Sequence, residues 1–210
     1  MLMKKSESAQ STVGMHDPSF RFHKHNILLT LLLMGLSMLF VAISAAYIYS
    51  RVQNELPAIQ LPWLFFFNTL ILLGSSWTLI QAERAYEDDN TERYRQLLSA
   101  TSLLSLLFLG LQFMAWVQLF QHNFFIDSNL TASYVYALSF LHFIHVVGGI
   151  PFLVYFVVQA YRKLQEPVSV LVYFSDPDKR RSLFLLTKYW HWLDILWLVL
   201  VAFLGVNMLI

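Results

Sequence analysis

The chain has no cysteine among its 210 residues, which excludes disulfides, thiolate zinc sites, iron–sulfur clusters and thiol nucleophiles. Charge is scarce as well. Charged residues make up 13% and apolar residues 57%, where an ordinary soluble domain carries roughly a quarter charged. With a mean hydropathy of +0.54, the chain is too apolar to be such a domain. Its 14 basic and 13 acidic residues leave a formal net charge of +1, so no general electrostatic case for nucleic acid exists. Ionisable groups are rarer still in the apolar runs. The first three contain no Asp, Glu, Lys, Arg or His at depth, which argues against a proton or ion transporter, since such a protein needs titrating groups on several helices. Pro151 is the only proline inside a run, and no matched pair of interrupted segments points to an alternating-access carrier.

Five runs are long enough to cross a hydrocarbon core, which takes about 20 residues. They lie at about 27–50, 63–81, 97–120, 133–161 and 189–210. The sequence therefore predicts an all-α, polytopic membrane protein, a five-helix bundle forming one domain over 21–210. Residues 1–20 are polar, without a small-residue cleavage pattern, and are read as a retained, disordered cytoplasmic tail. Lysine and arginine set the orientation, because cytoplasmic segments retain them. Lys4, Lys5, Arg21 and Lys24, then Arg84, Arg93 and Arg95, then Arg162, Lys163, Lys179, Arg180, Arg181 and Lys188 share one side, leaving Arg51 alone on the other. This predicts a cytoplasmic N-terminus and a C-terminus outside.

The polar residues within the runs are the candidates for function. Asp194 and His191 stand three apart in the last span, and His142 and His145 three apart in the fourth, so each pair shares a helix face. A haem or metal shared between the pairs needs a common depth. Counting ~1.5 Å per residue from the expected points of entry at Ser133 and Tyr189 sets the pairs some 15–20 Å apart along the membrane normal. On that basis the four are read as hydrogen-bonded structural groups, and Asp194 as a clamp between helices. No catalytic, cofactor or metal residue is assigned. Most of Trp63, Trp77, Trp116, Trp190, Trp192 and Trp197 are read as interfacial anchors and packing groups. Gly148 and Gly149, like Ala42, Ser44, Ala45 and Ala46, offer smooth surfaces for close helix approach.

The segment Tyr189-Trp190-His191-Trp192-Leu193-Asp194-Ile195-Leu196-Trp197 closely resembles the Y-W-H-F-V-D-V-V-W pattern opening the final helix of subunit III of haem–copper oxidases. His142-Phe143-Ile144-His145-Val146 with Gly148 is similar to that family's H-G-L-H-V-x-x-G, with Phe143 replacing a glycine. Weaker likenesses are Phe67-Asn68-Thr69 with Ser75-Ser76, Gln112 with Trp116, and Ala45-Ala46-Tyr47. The likeness extends from about Leu29 to the C-terminus. Leu36 and Ala115 stand where the family has glutamates, so no proton-uptake role carries over at those positions. Five spans resemble the short bacterial form, which lacks the two helices that wall a lipid-filled cleft in the long form.

The resemblance implies a non-catalytic accessory subunit of a haem–copper terminal oxidase, a cytochrome c oxidase of the aerobic respiratory chain in a bacterial plasma membrane. It implies membership of a proton-translocating oxidoreductase complex, with haem and copper held by the partner subunits and none by this chain. The expected partners are the catalytic subunit and membrane phospholipid. Subunit III of a quinol oxidase, or a homologue associated with nitric oxide reductase, shares the short form. A self-contained transporter is the reading from another class, and it leaves the last-span pattern unexplained. Arg95, Arg162, Lys163 and Lys188, by position near span ends, are the expected lipid headgroup contacts.

Overall fold

The computed structural model describes residues 18–55, 61–122, 124 and 130–209. Among the described residues six helices follow one another: α1 (Pro18–Asn54), α2 (Leu64–Glu87), α3 (Thr91–Gln121), α4 (Leu130–Lys163), α5 (Pro167–Phe174) and α6 (Pro177–Leu209). All but α5 are long and apolar enough to cross a membrane. Of the expected tail, residues 1–17 lie outside the described residues, and 18–20 belong to α1. The helices outrun the apolar runs because a helix does not stop where the bilayer does. The largest difference is in the last one, which starts at Pro177 and not near Tyr189.

Proline and turn chemistry set the boundaries. Both α5 and α6 begin on a proline, whose missing N–H costs nothing in a first turn and whose φ is already helical. The charged block after the second apolar run is nearly all helix, broken only at residues 88–90. Asp89 takes the left-handed conformation with φ 54°. The Asp89 N–H then donates to Tyr86 O and the Asn90 N–H to Ala85 O, the paired bonds of a Schellman stop. Asn90 next caps α3, its side chain accepting from the Arg93 N–H at 3.1 Å.

Helices α2, α3, α4 and α6 form a ring in which each packs on two neighbours, and α1 lies outside on α4 and α6. One aromatic residue from each ring helix meets at the centre. Trp197 stacks on Phe65 at 5.7 Å between centroids, meets Phe108 edge-on at 5.1 Å and packs on His142 at 4.8 Å. Short α5 closes the basic end, where Tyr86 OH donates to Tyr173 O at 2.9 Å and the Tyr94 and Tyr173 hydroxyls lie 3.5 Å apart. At the opposite end the Arg51 guanidinium donates to Asn207 O and Oδ1 at 2.6 and 2.9 Å. Ser50 and Tyr134 hydroxyls pair there at 2.9 Å.

Candidate functional site

In lipid the hydrophobic effect does not hold helices together, so small residues and interhelical hydrogen bonds carry more of the specificity. The ring is laced by such bonds. Between α2 and α3, Asn68 Nδ2 donates to Gln112 Oε1 at 3.0 Å, and Thr78 and Thr101 hydroxyls pair at 2.8 Å. Four indole N–H groups each donate to a hydroxyl on another helix: Trp116 to Ser139, Trp190 to Ser75, Trp192 to Ser37 and Trp197 to Thr69, at 2.9 to 3.1 Å. Trp190 and Trp197 are buried. They clamp helices and do not anchor at an interface; Trp63, Trp77 and Trp192 are exposed. Among the hydroxyl and amide partners, sequence reasoning valued Asn68, Thr69, Ser75 and Gln112 only through the family likeness, and it missed Ser37, Thr78, Thr101 and Ser139. On α2 the signal was the helical spacing of Asn68, Ser75 and Ser76 along one side.

The histidines correct the depth argument. His142 Nε2 lies 3.1 Å from Leu193 O, and Tyr189 OH donates to His145 O at 2.8 Å, so the two pairs stand at the same level. The assumed entry points were at fault. α4 and α6 are 34 and 33 residues long, ~50 Å each, so where charge begins says little about how one is placed along the other. A shared level does not make a shared site. His145 Nδ1 pairs with Leu141 O in its own helix at 2.6 Å. His191 Nδ1 is hydrogen-bonded to Ser76 Oγ at 2.6 Å and lies 3.9 Å from Asp194 Oδ2. Among the described residues no group of three or more His, Asp or Glu side chains could hold a metal ion. Buried nitrogen or oxygen atoms left without a hydrogen bond include Asn68 Oδ1, Gln112 Nε2, His142 Nδ1 and Asp194 Oδ2. Leu36 and Ala115 are both buried.

A cavity of about 580 Å³ opens between α1, α4 and α6. Leu29 and Leu32 line it from α1, His145, Gly148 and Phe152 from α4, and Leu186 and Tyr189 from α6. Its wall toward the basic end includes Tyr155 and Ser182. Beside them, Lys179 Nζ donates to Tyr155 OH at 3.1 Å and to Gln159 Oε1 at 2.6 Å. None of the four expected headgroup contacts lines this space. Arg95 lies over the Tyr161 ring at 4.3 Å, while Arg162 and Lys163 are exposed in the last turn of α4. Lys188 lies over Phe184 of its own helix at 4.5 Å, ~17 Å along α6 from Pro177 at 1.5 Å per residue.

The geometry therefore offers helix clamps and a largely apolar cavity with a cation near its mouth. Comparison with known proteins adds a family. The model of the family described as cytochrome c oxidase subunit III matches residues 8–207. Cytochrome c oxidase subunit 3 of Thermostichus vulcanus is 26% identical over 180 residues, covering 84% of each chain. The protein of that name from Arabidopsis thaliana is 30% identical over 142 residues, 66% of this chain and 48% of its own. That of Ornithorhynchus anatinus is 27% identical over 147 residues, 70% and 50% respectively. The chain thus spans about half the length of these plant and vertebrate relatives and most of the cyanobacterial one.

Proposed function

The chain belongs to the cytochrome c oxidase subunit III family, and from that premise we propose that it is the accessory subunit of a haem–copper terminal oxidase, packing on the catalytic subunit and holding phospholipid beside it. The observation that carries the accessory role is the use made of the buried polar groups in the ring. Indoles, amides, hydroxyls and His142 are engaged in helix-to-helix bonds, a construction suited to a fixed support. Haem and copper are then the catalytic partner's, and electrons do not pass through this chain. The host is a bacterial plasma membrane and the complex an aerobic respiratory oxidase.

The lipid role is supported by the cavity between α1, α4 and α6. Its lining is mostly apolar and offers room for an acyl chain, and a phosphate at its mouth would meet Lys179. Basic residues near a membrane surface attract anionic headgroups. Lys179 thereby joins Arg95, Arg162, Lys163 and Lys188 as a proposed headgroup contact.

Affinity purification of the tagged chain from its native membrane, followed by mass spectrometry and an optical spectrum, tests the reading. A co-purifying multispan subunit carrying haem is expected. A chain that purifies alone with stoichiometric haem of its own would sink the proposal. For lipid, Gly148→Trp should fill the cavity, reduce tightly bound phospholipid in the purified complex and shorten its active lifetime. Unchanged lipid content and lifetime would remove the lipid role while leaving the accessory role standing.

A further inference from the structure

We infer that the groove between α2 and α6 around His191 is the face on which a transmembrane helix of another subunit of the oxidase seats, with a side chain that hydrogen-bonds His191 Nε2. This rests on the accessory-subunit reading and adds to it which surface makes the contact. Ser76, the partner of His191 Nδ1, stands midway along the 24-residue α2, eight residues or ~12 Å from Arg84. His191 is therefore at the depth of the hydrocarbon. Its side chain is nevertheless 30% exposed, while Asp194 behind it is 7% exposed with Oδ2 left without a hydrogen bond. An imidazole at this depth is too short to reach the headgroups, and an acyl chain offers it no hydrogen bond.

The surroundings are exposed and mostly apolar. Leu73 and Trp77 rise on the α2 side and Ile195 on the α6 side, all exposed, with Ser76 and His191 between them. Ser76 is small enough for close approach, and an interhelical hydrogen bond fixes register where apolar packing alone does not. His145, the other partly exposed imidazole of the spans, faces the cavity on the α1 side and pairs with Leu141 O of its own helix. A lipid acyl chain against the His191 groove, or a second copy of this chain, would give other outcomes in the test.

The test places the photo-crosslinker benzoylphenylalanine at Trp77 or Ile195, and as controls at Leu103 of α3 or Phe152 of α4, all exposed positions. The intact complex is irradiated and its products identified by mass spectrometry. Crosslinks from Trp77 and Ile195 to another oxidase subunit are expected. In the complex with His191→Phe their yield should fall roughly three- to tenfold, the factor one interhelical hydrogen bond supplies in a membrane, and His191→Gln should restore it. Crosslinks to another subunit from Leu103 or Phe152 alone, or only lipid or self-adducts at the groove, would overturn the inference while leaving the accessory role intact. If no position reached another oxidase subunit, both would fall.

Discussion

Trp197 shows how a single residue does two jobs at the ring centre. Its ring packs on Phe65, Phe108 and His142, and its N–H is satisfied by Thr69. Trp197→Phe keeps most of the packing and loses the bond, so it should cost about 0.5–1.5 kcal/mol, whereas Trp197→Ala should cost about 3–5 kcal/mol. Reversible unfolding in mixed micelles separates the two. Gly149 lets α4 approach α6 closely: a Cβ there would lie 2.9 Å from Tyr189 Cε1 and 3.0 Å from Trp190 Cζ3. Its neighbour Gly148 has nothing within 4 Å. Gly149→Ala should destabilise by about 1–3 kcal/mol through overpacking, and Gly148→Ala should be close to neutral in the same assay. Asp194→Asn and His191→Ala should weaken retention of the chain in the complex more than they slow turnover of intact enzyme. The warrant is the ~1–3 kcal/mol cost of leaving a buried polar partner unsatisfied. Normal retention with slowed proton uptake would refute the clamp and favour a proton relay.

Among the elements, the α2–α3 turn and α5 depend on local chemistry that tolerates little change. Asp89 adopts φ 54°, which costs a β-branched residue more than it costs aspartate. Asp89→Val should lower stability by about 1–2 kcal/mol, while the exposed Glu87–Arg180 pair beside it, 2.7 Å apart, should contribute no more than about 1 kcal/mol. The clasp of α5 has a pH limit. Burial raises the Tyr173 phenol, with the hydrogen bond to Tyr94 opposing. An acid whose folded pKa is raised contributes stability that is complete below the unfolded value, ~10 for tyrosine, and lost as pH climbs through the folded one. Limited proteolysis around α5 should therefore be unchanged at neutral pH and accelerate only above about 10. The identity of the spans was legible because apolar length is local information. The start of α6 at Pro177 was not, since polar residues can be helical in water, and neither was α5, whose eight residues Pro167–Phe174 are apolar but too few to span and are helical where they pack on α4 and α6.

For the molecule as a whole, five helices among the described residues are long and apolar enough to span, and an odd number of crossings sets residues 18 and 209 on opposite faces. On the orientation that lysine and arginine lead one to expect, a reporter fused at the C-terminus and active only outside should be active. Class, span number and family were available from the residues alone, because composition, run length and the Tyr189 to Trp197 pattern are read along the chain. The candidate site was only half legible. Asn68, Gln112, Ser75 and the buried tryptophans could be seen as polar or aromatic residues inside spans, but not which would meet. Their pairing depends on how far each long helix slides along its neighbours, and a shift of a few residues at 1.5 Å each separates a bonded pair from a remote one. That is why the count along the sequence set the histidine pairs at different depths, and why the fold brought His142 to Leu193. Sequence determined what the chain is made to sit in; tertiary packing decided which groups clamp the ring, where a cavity is left, and that His191 faces outward with work still to do.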